Sequence, residues 1–489
     1  MEASQEIFEQ NASNQLDKKK IMGLKWNKDS WWRLKHDVKR VIVYESREDG
    51  MIVNQAGFLT PSEAILISLF DGKRTIGEVM TVAGDVFQET ADTTEQNIKK
   101  LLSKWSNTVE EKSEDMFTPQ YNPIDFVIPA WKVDNVSWRF FKPITVHFRV
   151  ADSCMRDCIY CNIETKPHEK SNLISLERWH QLAEETKELD IYAVMLSGGD
   201  PFMYDDFIEV VNCFTKRSIH PFISTKSLVT KDKAKALAES GIKIMQVSID
   251  APNRDVADFL THSPGTFDQT VQSIKNLTET GIKVTTNTVV TSYNVLLIPS
   301  LVHFLNDLGV KKVKLAQYVR SHYAEYDVSL FISERAGKWL ENEINKISND
   351  KGIDIDVRFD YLKDPSLIDP KEKKERFKER SLCSASRWGF VITGTGKAIP
   401  CDEIPVTDEY ILGDVSKQSM LEVWNSPANT KYTVPPREPF KGTVCYDCED
   451  FDECHRGKGR CFRDALKAYG SLYAPAPICW KAPNGLRLS

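Results

Sequence analysis

The chain has 489 residues, 41% of them hydrophobic, and a formal net charge of −6. That length accommodates about three domains, and the near-balanced charge argues against nucleic acid or an anionic membrane surface as a partner. No signal-peptide core and no run of about 18 apolar residues is present, so no membrane partner is expected, and the 11 cysteines read as metal-binding thiols of a cytoplasmic protein rather than a disulfide framework.

Residues 1–34, rich in Asn, Gln and Lys and ending in Trp31-Trp32, read as an extension. Residues 35–112 read as a winged-helix-like module. A β-branched strand over 38–44 leads through a turn at Glu48-Asp49-Gly50 into a second strand at 51–53. Thr60, Pro61 and Glu63 then form a helix start of capping-box type for residues 62–69. Thr75 and Glu78 cap a second helix, and a third covers roughly 94–104. Pro119, Pro123 and Pro129 mark a linker over 113–139.

From residue 140 to 325 strands and amphipathic helices alternate. Strands are expected at 144–150, 192–196, 221–225, 244–249, 284–290 and 313–318, with helices near 176–189, 204–217, 231–240, 267–279 and 295–308. Such alternation predicts an α/β fold, a parallel sheet curled into a partial (β/α)6 TIM-like barrel. A bridging region, 326–380, ends in a charged run from Asp369 to Arg380 that reads as a solvated helix or hinge. The last segment, 381–489, is irregular and cysteine-rich.

The most informative motif is Cys154, Cys158 and Cys161, spaced C-x3-C-x2-C directly after the first barrel strand. Three thiolates on one tight loop can each take one iron of a cubane [4Fe–4S] cluster and leave the fourth iron open. A zinc knuckle or a cluster of buried thiols is the plainer alternative. The loop falls at the carboxyl end of its strand, where barrels of this kind gather their chemistry. With Tyr160 preceding the third cysteine, the motif resembles that of the radical SAM superfamily. The resemblance implies S-adenosylmethionine (SAM) chelated at the open iron, and a 5′-deoxyadenosyl radical able to take hydrogen from unactivated carbon.

The same resemblance assigns further SAM-binding residues. Ser197, Gly198, Gly199, Asp200 and Pro201 stand where the family has Gly-Gly-Glu-Pro, with Asp200 expected to accept from the methionyl ammonium and the glycines to let the backbone approach the ligand. Gln246, Ser248 and Asp250 match a Q-x-S-x-D pattern near the ribose and carboxylate. Many relatives carry an Arg four residues before the Gly of a G-[ST]-F motif. Here the motif is Gly265-Thr266-Phe267 and that position is Thr261, so Lys226 becomes the candidate partner for the SAM carboxylate. Asn287 is a candidate ribose contact.

The C-terminal cysteines resemble the SPASM domain pattern. Cys383, a Gly396-x4-Cys401 step, Cys445-x2-Cys448-x5-Cys454 and a final Cys479 fit it, whereas Cys461 comes after six residues instead of three. By that resemblance Cys383, Cys401 and Cys461 hold a first auxiliary cluster, and Cys445, Cys448, Cys454 and Cys479 a second, for three [4Fe–4S] clusters in all. No cysteine lies in Glu375–Leu382, where relatives with a complete first auxiliary cluster have one. Its iron is therefore expected to be open to a substrate thiolate. Structural zinc is the alternative. Cys213 lies on an apolar helix face and reads as a buried structural thiol.

The N-terminal module resembles the recognition element of ribosomal-peptide maturases, which captures a leader peptide as an added strand; a DNA-binding winged helix is the alternative. Taken together, the resemblance implies a radical SAM–SPASM peptide maturase. It would dock a precursor peptide by its leader, take electrons from a donor such as flavodoxin or ferredoxin, and join a peptide Cys to carbon as a thioether. Carbon–carbon or carbon–oxygen cross-linking, side-chain oxidation and an iron–sulfur redox sensor are the alternatives.

Overall fold

The computed structural model describes residues 16–27, 30–47, 52–113, 118–134, 139–163, 173–322 and 328–489. The chain divides into two compact units, Met1–Val136 and Ser137–Ser489.

Among the described residues the first unit carries seven short strands: β1 (Ile21–Leu24), β2 (Trp26–Asn27), β3 (Ser30–His36), β4 (Val41–Arg47), β5 (Ile52–Leu59), β6 (Asp71–Thr75) and β7 (Val109–Glu111). They form a three-stranded antiparallel sheet, β6-β1-β7, and a four-stranded antiparallel sheet, β2-β3-β4-β5. The helices are Pro61–Leu69, Ile76–Phe87 and Ala91–Lys104. Both expected capping boxes form, Thr60 with Glu63 and Thr75 with Glu78. Each satisfies two orphan amide groups at a helix start.

Three expectations change. Strands already occupy Ile21 to His36, so residues 1–34 are not merely an extension. The third helix starts at Ala91, because Thr90 caps it. The stretch read as a linker sends Phe126 and Ile128 into the core of this unit, beside Leu59, Ile67 and Phe70. The turn expected at Glu48-Asp49-Gly50 lies outside the described residues; the strand after it runs to Leu59.

Among the described residues the second unit is built on one ten-stranded sheet. Its strands are β8 (Thr145–Ala151), β9 (Ala193–Gly198), β10 (Phe222–Thr225), β11 (Ile244–Ser248), β12 (Lys283–Val290), β13 (Lys312–Gln317), β14 (Asp356–Arg358), β15 (Gly389–Ile392), β16 (Lys397–Ile399) and β17 (Gly413–Asp414). The order is β14-β13-β12-β11-β10-β9-β8-β15-β16-β17, parallel from β14 through β15 and antiparallel beyond. All six expected barrel strands are present, and the sheet stays open. Two parallel strands join that the sequence did not announce: β14 from the bridging region and β15 from the C-terminal segment.

The expected helices lie at Leu176–Glu188, Phe207–Thr215, Lys231–Glu239, Thr266–Glu279 and Ile298–Asp307, with additional ones at Arg254–Thr261 and Glu334–Ser348. The charged run forms a helix, Pro370–Glu379, that buries Lys373 and Phe377. It is docked rather than fully solvated.

Strand alternation decides which side chains meet the helices. On β8, Val146, Phe148 and Val150 enter the large core, where Phe148 packs on Trp179 with ring centroids 5.2 Å apart. Cys213 is buried in the same core, as expected of a structural thiol. His147 and Arg149 point to the opposite, concave face. That face carries the site.

Candidate functional site

Cys154, Cys158 and Cys161 follow β8 as partly buried free thiols. Their loop is clamped from two sides. Gly199 donates its amide to Ala151 O at 2.8 Å and Asp200 to Ser153 O at 2.9 Å, while Asp157 and Ile159 donate to Thr261 O and Leu260 O at 3.2 and 3.1 Å. Gly198 adopts φ +148°, and a Cβ on Gly198 or Gly199 would overlap the carbonyl oxygens of Ala151 and Ser153. The paired glycines therefore serve the close approach of the cysteine loop to the end of β9, not only that of a ligand.

Asp200 departs from its expected role. Its Oδ1 accepts from Phe202 N at 3.1 Å and Thr225 Oγ1 at 2.9 Å; its Oδ2 accepts from Thr225 Oγ1, Lys226 N and Ser227 N at 2.7, 2.9 and 3.1 Å. A carboxylate offers about four lone-pair sites, and these are taken. Asp200 clamps the turn after β10 rather than presenting a free acceptor to an ammonium. Pro201, also buried, opens a short 3-10 turn.

Lys226 is likewise engaged. Its ammonium donates to Asp250 Oδ2 at 2.7 Å and to the Tyr160 hydroxyl, which in turn donates to Asp250 Oδ2. Asp250 Oδ1 accepts from Val289 N at 3.0 Å. Burial works to lower the Lys226 ammonium, but Asp250 and Cys158 outweigh it and hold it above its ordinary value. One N–H of Lys226 is left for a ligand. Thr261 is buried and turns its hydroxyl back onto Ala257 O at 2.8 Å, so it takes no part in holding a carboxylate.

Ser248 and Asn287 face each other across β11 and β12, and Gln246 donates to Ser224 Oγ at 2.7 Å. The Asn287 side-chain oxygen is buried with no partner. An orphaned acceptor at the carboxyl end of a barrel strand is where a donor on a ligand, such as a ribose hydroxyl, would be expected.

Ser197 is held differently again. Its hydroxyl meets His147 Nε2, while His147 Nδ1 meets Asp402. Burial works to raise the Asp402 carboxyl, but His147 and Arg149 hold it below the usual range. Asp402 follows Cys401 directly, so this chain of contacts runs from the end of β9 to the C-terminal cysteines.

Four of the seven C-terminal cysteines share one cavity. Cys445, Cys448, Cys454 and Cys479 line one cavity with Phe377 and Trp480. Arg380 approaches the sulfur of Cys454 at 3.6 Å and Lys481 that of Cys448 at 3.4 Å. Cys461 caps the helix Phe462–Tyr469 and lies within electrostatic reach of Cys383. Arg463, which acts on both Cys461 and Cys401, pairs with Glu403 at 2.6 Å.

Comparison with known proteins identifies two domains. Residues 148–296 match the radical SAM superfamily, and residues 383–449 match SPASM, an iron–sulfur cluster-binding domain. The chain therefore carries a radical SAM domain followed by a SPASM domain. It is 24% identical over 358 residues to the Fe-coproporphyrin III synthase of Methanosarcina barkeri (69% of this chain, 88% of that one). It is 22% identical over 351 residues to the PqqA peptide cyclase of Gluconobacter oxydans (70% and 91%). In fold it is similar to SuiB of Streptococcus suis, solved bound to the precursor peptide SuiA, with a TM-score of 0.63, 17% identity and coverage of 93% and 99%.

Three thiols on the loop after β8 and four lining one C-terminal cavity are a donor set that fits iron–sulfur centres. Among the described residues no three His, Cys, Asp or Glu side chains converge as ligands of a single metal ion would; a cubane takes its thiolates at separate irons, which spreads them more widely. Burial pushes the Cys154 and Cys401 thiols up to about 12 and the Cys445 thiol up to about 11. Ligation would have to draw those protons off, so metal loading is coupled to pH.

Sequence reasoning missed His147, Arg156, Asp402, Arg387 and Arg460. Arg156 sits inside the cysteine loop, its amide 3.4 Å from Cys154 Sγ and its guanidinium on Gln269 Oε1. A signal existed for His147: a polar residue between apolar neighbours of a strand marks the face turned from the core.

Proposed function

We propose that this enzyme modifies a ribosomally made precursor peptide, joining a peptide Cys to carbon as a thioether. The N-terminal unit carries that reading. Among the described residues its four-stranded sheet ends on the eight-residue β5, with no further strand beyond it. An open antiparallel edge of that length suits an added leader strand. The similarity to SuiB, solved with a precursor peptide, spans 99% of that chain, and PqqA peptide cyclases are among the relatives.

Bound SAM and a reduced cluster supply a radical that takes hydrogen from carbon. The chain's own groups divide the rest. Cys154, Cys158 and Cys161 hold the SAM cluster. Tyr160, Lys226 and Asp250 fix its loop against the barrel, and Gln246, Ser248 and Asn287 line the concave face for the nucleoside. Asp200 holds the turn that carries Lys226. Cys383, Cys401 and Cys461 form one auxiliary site, with an open position for the peptide thiol, and Cys445, Cys448, Cys454 and Cys479 the other. Thioether formation breaks one C–H and one S–H bond and makes one C–S bond. A hydrogen atom leaves with the adenosyl carbon, a proton leaves the thiol, and one electron passes to an acceptor. The C-terminal cysteines would hold centres able to supply that acceptor, and a flavodoxin or ferredoxin would restore the electron used on SAM.

The test uses anaerobically reconstituted enzyme with SAM, dithionite and a Cys-bearing precursor peptide. The expected product lacks two hydrogens and resists thiol alkylation. A product lighter by two hydrogens that still alkylates would mean a carbon–carbon or carbon–oxygen link. Absence of SAM cleavage would remove the enzymatic reading and leave a redox sensor.

A further inference from the structure

Two arginines in the C-terminal segment are buried without an acid. Arg387 is 1% exposed and Arg460 8% exposed, and among the described residues neither takes part in an ion pair with a carboxylate. The Arg387 guanidinium lies against Gly459 and donates through Nη2 to His455 O; its Nε and Nη1 are buried with no partner. Arg460 donates to His455 Nε2 at 3.0 Å, to Ala474 O at 2.8 Å and to Leu472 O, all neutral acceptors. His455 donates from Nδ1 to Phe451 O at 2.7 Å, so its Nε2 is the acceptor and the ring carries no charge of its own. A buried cation left this way is strongly disfavoured unless a negative charge stands nearby.

The groups beside these two arginines that become anionic on cluster ligation are cysteine thiols, and they belong to both auxiliary sets. Arg460 lines the cavity of Cys445, Cys448, Cys454 and Cys479. Cys445 and Cys454 of that set act on it, and so do Cys461 and Cys383 of the other. Arg387 is acted on by Cys383 of one set and Cys454 of the other. Gly459, against which the Arg387 guanidinium lies, donates to Cys454 O at 2.9 Å, and its neighbour Lys458 accepts from Cys383 N at 3.1 Å, so Arg387 borders a cysteine of each set; Arg460 lines the cavity of one set and directly precedes Cys461 of the other. A thiolate-ligated iron–sulfur cluster is an anion whose potential responds to nearby charge and hydrogen bonding. Gly459 fits the same picture: its φ is +75°, and a Cβ there would strike the Arg387 guanidinium.

We propose that Arg387 and Arg460 are fixed countercations shared by the two auxiliary clusters, raising the reduction potential of both so that an electron leaving the substrate is accepted. This rests on the assignment of the seven C-terminal cysteines to clusters. Neither arginine is a ligand. Each acts by its charge alone, and Lys replaces it in part because charge, not fork geometry, is what the clusters require.

The test compares holoenzyme with Arg387→Gln, Arg460→Gln, Arg387→Lys and Arg460→Lys variants, reading iron content and the midpoint potentials of the auxiliary signals by EPR-monitored titration. The Gln variants keep a donor and remove the charge. They are expected to retain iron and titrate at lower potential, with the Lys variants close to wild type. Gln variants with full iron and wild-type potentials would overturn the proposal. Gln variants that fail to load auxiliary iron while Lys variants load would support it, because charge is then required for assembly. Failure of both Gln and Lys variants to load would overturn it in favour of shape. Wild-type enzyme holding only the iron of the Cys154 loop would instead overturn the cluster assignment itself.

Discussion

The Lys226 ammonium lies 2.7 Å from Asp250 Oδ2, and both groups share the hydroxyl of Tyr160, the residue between two cysteines of the N-terminal cysteine loop. Side chains from the turn after β10 and the end of β11 thus lock the loop that follows β8. Asp250 is 1% exposed and Lys226 12%. Breaking such a pair from one side leaves a buried charge uncompensated, at a cost of about 3–5 kcal/mol, whereas removing both partners costs less. Asp250→Leu is expected to lower the denaturation midpoint and the iron content of the loop more than the double variant Asp250→Leu/Lys226→Met. Equal losses measured by chemical denaturation would mean the pair carries no net coupling.

Gly199→Ala forces a Cβ onto the Ser153 carbonyl oxygen. Backbone must move, and local strain of about 1–3 kcal/mol is the usual scale. The cysteine loop is what moves. Reconstituted Gly199→Ala protein is expected to lose roughly one cluster's iron, about four atoms, and to cleave SAM far more slowly, while the C-terminal centres stay. Iron analysis and deoxyadenosine release check it; full iron with normal cleavage would contradict the clamp.

The six central barrel strands were legible because each is a run of β-branched and apolar residues between helix-like stretches. β14 and β15 were not. Asp356-Val-Arg358 has one apolar residue in three, and Gly389–Ile392 is fully buried with no alternation. Their strand character comes from pairing with β13 and β8, which local sequence does not encode. Asp71–Thr75 is another strand whose own residues carry no apolar alternation. At the site, the cysteines and the glycine pair were readable because their spacing is the signal. The role of Asp200 was not, since nothing local shows that the amides of Lys226 and Ser227 turn toward it. Arg387 and Arg460 were invisible as well, because a lone Arg in a loop is ordinarily solvated.

Replacing Cys154, Cys158 and Cys161 together by Ala removes every thiol of the loop at the barrel mouth. Deoxyadenosine formation is expected to cease, with auxiliary iron retained. From a wild type holding about twelve irons, about eight should remain. Metal analysis beside a SAM-cleavage assay with dithionite measures both, and persistent cleavage would remove the loop from the mechanism.

The N-terminal unit has its own pH dependence through Glu63. Burial works to raise this carboxyl, but Lys104, at 2.6 Å, and the Thr60 amide, at 2.8 Å, prevail and hold it below its ordinary value of 4.5. A carboxyl lowered on folding contributes stability above its unfolded pKa and loses it as pH falls through the folded one. Hydrogen exchange over Pro61–Leu69 is therefore expected to accelerate below about pH 4.5 more in wild type than in Glu63→Gln, which has already lost the contribution. Identical acid profiles would place the sensitivity elsewhere.

Leader recognition and SAM cleavage are expected to separate along the unit boundary. Met1–Val136 has its own buried core, including Trp32, Leu59, Ile67 and Trp105, and the cysteine loop, the Gly-Gly-Asp-Pro turn and Lys226 all belong to Ser137–Ser489. Strand addition along β5 would contribute main-chain hydrogen bonds that the second unit cannot supply. A chain beginning at Ser137 is thus expected to keep uncoupled deoxyadenosine formation within a fewfold while losing most of its affinity for a labelled leader. Equal leader affinity in intact and truncated chains, read by fluorescence anisotropy, would move peptide recognition out of the N-terminal unit and into the barrel mouth.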